Sequence, residues 1–205
     1  VLYKVVEKHW PAFRERAEEA GGLPRFLVRE VEEYLRCGRL EFGALRVTCP
    51  GCGFERLVAM SCKRRGFCPS CLGRRMSDLA IHLVDRVLPH VPFRQWVCSL
   101  PHRLRYLLGY DRELCAEVLG AFVGELRRSL AWRAKRVLGL ASVAQAHTGL
   151  VTFVQRFDSG LRLNVHFHVL ATDGVHLRAP ASGALAFHAL APPSTDEVAE
   201  VARRT

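Results

Sequence analysis

The sequence lacks any run of about 18 apolar residues, the length that a helix needs to cross a membrane. Its first residues, "VLYKVVEKHW", lack the apolar core and the small-residue cleavage site of a secretory signal peptide. Internal repeats and low-complexity tracts are missing as well. These absences predict a soluble intracellular protein.

Acidic side chains are scarce relative to basic ones. The chain has 20 Asp and Glu against 30 Lys and Arg, which gives a formal net charge of +10. This excess favours a polyanionic partner, because contacts with phosphate groups release condensed counterions. A plain solvated surface would carry the same charge, so the interpretation needs a binding site to support it. With 205 residues, 49% of them hydrophobic, the chain is long enough for at least one core.

Apolar spacing and turn residues predict an α+β fold. Two helices are expected within residues 11–37, with Pro11 in the first turn of the first helix. A further helix is expected from Met76 to Pro89, and residues 93–100 alternate as a strand does.

The second half of the chain begins with a predicted long helix. Asp111 is expected to cap it, and Thr195 is expected to cap a short helix near the end. After Gly149 the apolar period changes to two, which indicates strands.

Two cysteine motifs have the same form, "CPGC" at 49–52 and "CPSC" at 68–71. Each supplies two thiolates from one tight turn, and two such turns form a tetrahedral zinc site in a zinc ribbon. The alternative, reduced or disulfide-bonded cysteines, is less favoured in an intracellular protein. The sequence therefore predicts a structural Zn²⁺ with four ligands: Cys49, Cys52, Cys68 and Cys71.

The other four cysteines receive weaker assignments. Cys62 either replaces one of the predicted zinc ligands or lies beside them. Cys37, Cys98 and Cys115 occur in apolar patterns, which favours core packing.

Basic residues surround the second cysteine motif, and we expect them to contact DNA phosphates. A solvated face is the alternative. The predicted DNA-binding residues are Lys63, Arg64, Arg65, Arg74 and Arg75.

The segment "GLRLNVHFHVLATDG", residues 160–174, alternates apolar and polar side chains, as a strand with one apolar face does. His166 and His168 share its polar face and lie about 7 Å apart along the strand. Two imidazoles so placed can hold one divalent cation, although they also suit an ordinary polar face. A three-residue "DSG" loop predicts a hairpin with these pairs: Phe157 with Leu161, Phe153 with Val165, and Val151 with Phe167.

The cysteine-rich segment, "RQWVCSLPHRLRYLL" and "NVHFHVLATDGV" together resemble the transposases of the insertion sequence 91 family, which are HUH (His-hydrophobic-His) endonucleases. The resemblance extends over essentially residues 1–205. It implies a helical segment at 1–43, a zinc-binding ribbon at 44–75 and an HUH nuclease-like domain at 76–205. It also implies a bacterial cytoplasmic protein associated with the nucleoid.

In this family the HUH pair, here His166 and His168, holds Mg²⁺ or Mn²⁺ on a five-stranded antiparallel sheet. The metal polarises the scissile phosphate, and a tyrosine attacks to leave a 5′-phosphotyrosine and a free 3′-hydroxyl. The implied partner is DNA, chiefly the single-stranded ends of a transposon. The third metal ligand stays open among three residues: Gln155, Asp173 and His176.

The chain departs from the family pattern in its tyrosines. Family members carry the nucleophilic tyrosines downstream of the HUH strand, whereas no tyrosine follows Tyr110 here. We therefore expect the chain to be truncated and the nucleophile to lie beyond Thr205. Tyr106 and Tyr110 have the spacing of a tyrosine pair, but we assign them to packing or the surface.

Other enzyme classes fit poorly. A histidine-triad hydrolase would need a third histidine where Leu170 stands, and a zinc deaminase would need a glutamate two residues after its histidine. An amidohydrolase barrel would need about 250 residues. The serious alternative is a non-catalytic zinc-ribbon DNA-binding protein in which the two histidines do no chemistry.

Overall fold

The structure, a computed structural model, describes residues 1–64, 66–160, 162–180 and 182–205. The chain forms two compact units, Val1–Pro89 and His90–Thr205. Helices and small antiparallel sheets make up both units, which confirms the α+β class. No helix in these described ranges is both long and apolar enough to cross a membrane.

The first unit contains helices packed around a small cysteine-rich centre, and a β-hairpin. Its elements in chain order are α1 (Leu2–Glu19), α2 (Arg25–Arg36), a 3-10 turn (Leu40–Phe42), β1 (Ala44–Thr48), β2 (Glu55–Ala59) and α3 (Pro69–His82), which continues as a π-helical turn (Leu83–Val87).

Helix α1 begins nine residues before Pro11, so the prediction that this proline lies in the first turn was wrong. Tyr3 and Val6 pack against the buried cluster of Tyr34, Cys68 and Cys71. Burial of these N-terminal apolar side chains therefore extends the helix past a residue that normally interrupts one.

The predicted boundary between residues 75 and 76 lies inside α3, whereas the two units divide after Pro89. The reason is that α3 starts at the second cysteine motif, with Cys68 as its N-cap residue and Pro69 at its first position. One continuous helix thus joins the cysteine motif to the segment that follows it.

The second unit is built on a three-stranded antiparallel sheet of order β3-β5-β4. Its elements in chain order are β3 (Phe93–Ser99), α4 (His102–Tyr110), α5 (Arg112–Leu138), a 3-10 turn (Val143–Gln145), β4 (Leu150–Phe157), β5 (Leu163–Thr172), β6 (Gly174–Arg178), β7 (Leu185–Ala189) and α6 (Thr195–Arg204).

Helices α4 and α5 cover one face of the three-stranded sheet. Val165, Phe167 and Val169 of the central strand β5 are fully buried there, against Leu108 of α4 and Leu126 of α5. The alternation predicted for this strand is confirmed: every second side chain enters the core, and the intervening ones lie on the opposite face.

The predicted long helix and strand β3 are confirmed. The Asp111 side chain accepts a hydrogen bond from the Leu114 N–H at 2.9 Å, which caps α5. Near the end of the chain the N-cap is Ser194 rather than Thr195, because Ser194 and Glu197 form a reciprocal capping box.

The predicted register of the β4–β5 hairpin was wrong. Phe153 pairs with His168, and Val151 pairs with Leu170, so Phe153 lies on the histidine face of the sheet. Phe157 pairs with Leu163, two positions later than predicted, so the loop is longer, and a β-bulge between Gln155 and Phe157 then shifts the register by one more residue. This single-residue shift turns Phe153 to the histidine face, because neighbouring side chains of a strand point to opposite faces. The predicted pair of Phe157 with Leu161 lies partly outside the described residues.

The five-stranded sheet implied by the resemblance is not formed within the described residues. Strands β3 and β4 occupy both edges of β5, and β6 and β7 form a separate two-stranded sheet. The chain turns between β5 and β6 at Asp173, so β6 cannot continue the ladder of β5.

Candidate metal centres

Four cysteines converge in the first unit. Their sulfur atoms all lie within 4.8 Å of one another. The measured Sγ–Sγ distances are 3.7 Å for Cys37 to Cys71, 3.5 Å for Cys62 to Cys71 and 3.6 Å for Cys68 to Cys37. Four sulfurs about 2.3 Å from a tetrahedral Zn²⁺ lie about 3.8 Å apart, so these distances suit a zinc ion.

Three segments of the chain supply these sulfurs. Cys37 follows the end of α2, Cys62 lies after β2, and Cys68 and Cys71 are at the start of α3. The Cys62 N–H donates to the Cys37 sulfur at 3.3 Å. Cys68 and Cys71 are 3% and 7% exposed, so solvent is largely excluded from the centre of the cluster.

The thiols of this cluster differ in acidity. Burial raises the pKa of Cys71, but sulfur hydrogen bonds from Cys62 and Cys37 outweigh it and lower the pKa to about 7. Burial is also the largest effect at Cys62 and Cys37, and there it raises the pKa of both thiols. The arrangement thus stabilises one thiolate with neighbouring thiols as donors, and a cation would favour ionisation of the others.

The structure brings together only two of the four predicted zinc ligands, Cys68 and Cys71. Cys49 and Cys52 lie exposed at the tip of the β1–β2 hairpin. There the backbone N–H groups of Cys52 and Gly51 donate to the Cys49 sulfur and lower the pKa of that thiol. The "CPGC" turn is therefore preorganised for a thiolate, but it is separate from the cluster.

From the sequence, Cys37 was assigned to core packing and the role of Cys62 was left open. Cys37 ends a helix before Gly38, whose φ of 76° requires glycine and whose N–H donates to the Met60 carbonyl. This turn directs the chain back towards the segment that carries Cys62. A cysteine immediately before a helix-terminating glycine is the sequence feature that could have identified Cys37 as a candidate metal ligand. By contrast, Cys98 and Cys115 pack in the apolar core, as predicted.

The basic residues near the cluster fall into two groups. Arg64 pairs with Glu33 of α2, and this hydrogen bond raises the pKa of the guanidinium. Arg74, Arg75 and Lys63 are exposed, and Arg75 donates to the Lys63 carbonyl at 2.6 Å. Arg65 lies outside the described residues. Arg74, Arg75 and Lys63 thus present positive charge to solvent, whereas the charge of Arg64 is compensated.

The histidine pair lies on the face of the sheet opposite the helices. The rings of His166 and His168 have centroids 4.9 Å apart. His166 Nδ1 is 2.6 Å from the Asn164 carbonyl oxygen, which can only accept, so Nδ1 carries a proton and, in the neutral ring, Nε2 has a free lone pair. His168 Nε2 is buried and has no hydrogen-bond partner among the described residues.

The three candidate third ligands differ in position. Gln155 of β4 lies opposite His166 on the histidine face, and its side chain donates to the Phe157 carbonyl at 3.1 Å. Asp173 forms a two-bond ion pair with Arg94, at 3.0 and 2.7 Å. His176 belongs to β6 and contacts the Phe187 ring at 5.2 Å. Only Gln155 of these three shares the sheet face of the histidines.

Tyr106 and Tyr110 are on the exposed side of α4, with ring centroids 4.6 Å apart. The buried side of α4 contacts the core face of the sheet through Leu108 and Leu104. The tyrosines therefore lie on the helix-covered side of the sheet, away from the histidine face. This placement agrees with a surface role.

The chain is similar to proteins described as transposases. Residues 5–100 match the family described as "Transposase zinc-binding domain". A curated relative, the transposase for insertion sequence element IS801 of Pseudomonas savastanoi pv. phaseolicola, is 32% identical over 158 residues. That alignment covers 76% of this chain and 35% of the relative, so the chain spans about a third of the relative's length. No solved structure matches the chain.

Proposed function

Because this chain belongs to the insertion sequence 91 family of transposases, we propose that it binds single-stranded DNA and takes part in cutting and rejoining it. The observation that carries the proposal is the pair of imidazoles on one open sheet face. Both His166 and His168 have an Nε2 atom without a hydrogen-bond partner among the described residues. Two such nitrogens at this spacing suit one divalent cation.

The zinc-binding domain holds a structural metal, and we propose that its ligands are the four clustered cysteines: Cys37, Cys62, Cys68 and Cys71. The sulfur distances and the burial of the cluster support this set, because structural zinc sites are closed and four-coordinate. A metal held this way links the end of α2, the end of β2 and the start of α3. The predicted set with Cys49 and Cys52 remains the alternative to be tested.

We propose that the histidine pair holds Mg²⁺ or Mn²⁺, with Gln155 as the third ligand. The buried, unpartnered Nε2 of His168 supports a cation here, since a buried polar atom without a partner is costly. When bound, the metal would act as a Lewis acid towards a DNA phosphate. Imidazole ligands favour Mn²⁺ over the harder Mg²⁺. An amide oxygen would complete the set of protein ligands.

The surroundings of the histidines support a single-stranded substrate. Phe153 and Val97 flank His168 on the neighbouring strands, and their side chains are 40% and 53% exposed. An exposed aromatic ring offers a surface on which an unpaired base can stack. A paired duplex would present neither an unstacked base nor a freely positioned phosphate to this face.

We further propose that the nucleophilic tyrosine is supplied by residues beyond Thr205, as the family resemblance implies. Tyr106 and Tyr110 lie on the other side of the sheet from the histidines. Incubation of this chain with single-stranded DNA and Mn²⁺ is expected to give binding but no denaturation-resistant protein–DNA band. A band abolished by Tyr106→Phe or Tyr110→Phe would contradict this placement of the nucleophile.

The competing function is a DNA-binding protein whose only metal is zinc. Titration of the zinc-loaded chain with Mn²⁺ distinguishes the proposed function from this competing function. The proposal predicts a Mn²⁺ site that is lost in the double variant His166→Ala/His168→Ala, while zinc content stays unchanged. Equal Mn²⁺ binding by the wild-type chain and the double variant would support the competing function.

A further inference from the structure

Gln95 of strand β3 contacts one of the two histidines directly. Val97 pairs with His168, and Gln95 lies two residues before Val97 on the same strand, so both lie on the histidine face of the sheet. Its side-chain amide nitrogen is 2.8 Å from His168 Nδ1. No role for Gln95 is predicted from the sequence, because nothing in the pattern of β3 distinguishes it from other polar-face residues.

The two histidines differ in what holds their Nδ1 atoms. The Asn164 carbonyl can only accept a hydrogen bond, so it fixes neutral His166 in the tautomer with a proton on Nδ1 and a lone pair on Nε2. The Gln95 amide can do either. Its NH₂ group donates to an unprotonated Nδ1, or, after a half-turn, its oxygen accepts from a protonated Nδ1.

The orientation of the Gln95 amide therefore determines what His168 Nε2 can bind. When the NH₂ group faces Nδ1, a neutral His168 carries its proton on Nε2, and that atom cannot bind a metal. When the oxygen faces Nδ1, the proton is on Nδ1 and Nε2 presents a lone pair. Hydrogen bonds to the outer nitrogen of a histidine commonly fix a metal-binding tautomer in this way.

We propose that Gln95 is a positioning residue that holds His168 in the metal-binding tautomer by accepting the Nδ1 proton through its side-chain oxygen. The inference rests on the proposed divalent-metal site of the histidine pair. Gln95 acts through His168 and contacts neither the metal nor the DNA in this role. This role requires the Gln95 oxygen to face Nδ1, a half-turn from the orientation in which the amide nitrogen faces it.

The test uses three variants of the full chain in the zinc-loaded form. Gln95→Leu removes the acceptor, and Gln95→Glu keeps one. Ser99→Ala is the control, since Ser99 is on the same strand and face, opposite His166. The Mn²⁺ dissociation constant is measured by electron paramagnetic resonance, and thermal unfolding checks that each variant is folded.

Gln95→Leu is expected to weaken Mn²⁺ binding roughly 10- to 100-fold, the usual effect of losing such an outer partner. Gln95→Glu is expected to bind Mn²⁺ at least as tightly as the wild-type chain, and Ser99→Ala within about twofold of it, as expected for surface changes. Nitrogen-15 spectra of the Mg²⁺-saturated protein give a readout independent of affinity. The His168 Nδ1 proton should be observed and protected in the wild-type chain and in Gln95→Glu, but not in Gln95→Leu.

Equal affinities of Gln95→Leu and Ser99→Ala would overturn the inference, and so would a Gln95→Glu variant as weak as Gln95→Leu. A proton on Nε2 of His168 in the metal-saturated protein would do the same. The proposed function fails separately if His166→Ala/His168→Ala keeps wild-type Mn²⁺ affinity, and that result overturns the role of Gln95 as well. Loss of binding in the double variant with full binding in Gln95→Leu overturns the role of Gln95 alone.

Discussion

The cysteine cluster and the histidine pair are proposed metal centres of opposite kinds. The cysteines come from three separate segments, enclose a buried volume and provide four like ligands. The histidines come from a single strand, lie on an open face and provide two ligands. A closed, four-coordinate centre holds segments together, whereas an open centre leaves coordination positions for a substrate. Under the proposed function, the first unit thus has a structural metal and the second unit a catalytic one.

The two units also differ in how many apolar side chains are buried around these sites. The buried side chains in the described part of the first unit are Val31, Tyr34, Cys68 and Cys71. In the second unit Phe167, Leu126 and Val165 belong to an extensive apolar core. Hydrophobic burial alone can therefore hold the histidine strand in place, whereas we expect the first unit to depend on the proposed zinc for its stability.

The largest expected effect is the loss of the cysteine centre. Cys62→Ser should abolish binding of one zinc equivalent and unfold the first unit, because zinc binding contributes about 10–16 kcal/mol in small zinc domains. Metal analysis and hydrogen exchange of residues 1–89 measure both outcomes. The control is the pair Cys49→Ser/Cys52→Ser, which should keep the zinc. Loss of zinc in the control alone would restore the ligand set predicted from the sequence.

The next effect concerns the histidine centre. His166→Ala/His168→Ala should lower Mn²⁺ affinity by more than about 100-fold, since both protein nitrogens are lost and even outer partners contribute 10- to 100-fold. The unfolding temperature of the second unit should change little, because both side chains lie outside the core. A large loss of stability would show that the histidines serve the fold instead.

A smaller effect is expected on DNA binding by the first unit. Neutralising Arg74 and Arg75 together should flatten the slope of log K against log salt by about 0.7 for each phosphate of single-stranded DNA that these side chains neutralise in the wild-type complex. Arg64→Gln is the matched comparison, because Glu33 already compensates this charge, and its slope should stay unchanged. An unchanged slope in the Arg74/Arg75 variant would show that the DNA-binding surface does not include these residues beside the cysteine motif.

The smallest expected effect is on the stability of the second unit and concerns Glu197, which lies outside both proposed metal centres. Hydrogen bonding to the Ser194 N–H and the charges of Arg133 and Arg136 lower the pKa of Glu197. A lowered pKa in the folded state stabilises the fold above the unfolded pKa, and this stabilisation is lost as pH falls through the folded pKa. Glu197→Gln should therefore destabilise the second unit at neutral pH and have less effect below about pH 4. Thermal unfolding at both pH values checks this, and Mn²⁺ affinity should not change.

The sequence predicted local features well where one segment determines them. The cap at Asp111, strand β3 and the shared face of His166 and His168 depend on neighbouring residues and were confirmed. The register of β4 and β5 was missed because it shifts by one residue at a β-bulge between Gln155 and Phe157, and the alternation of apolar residues does not reveal such a shift.

Features that join distant segments were harder to predict. Cys37 reaches Cys71 across 34 positions, and Gln95 reaches His168 across 73. Each pair depends on how two elements pack against each other. The sequence pattern predicts the individual elements but not this packing. Two similar "CPxC" turns also favoured an obvious pairing, whereas the structure groups one of them with two single cysteines.

The central claim, that the histidine face binds a metal which contacts DNA phosphate, is tested most directly by pulsed electron paramagnetic resonance of Mn²⁺ on the zinc-loaded chain with single-stranded DNA. We expect nitrogen couplings from two imidazoles, and a phosphorus coupling that appears only when DNA is added. The nitrogen couplings should vanish in His166→Ala/His168→Ala. Mn²⁺ without imidazole couplings, or with no phosphorus coupling in the presence of DNA, would contradict the claim.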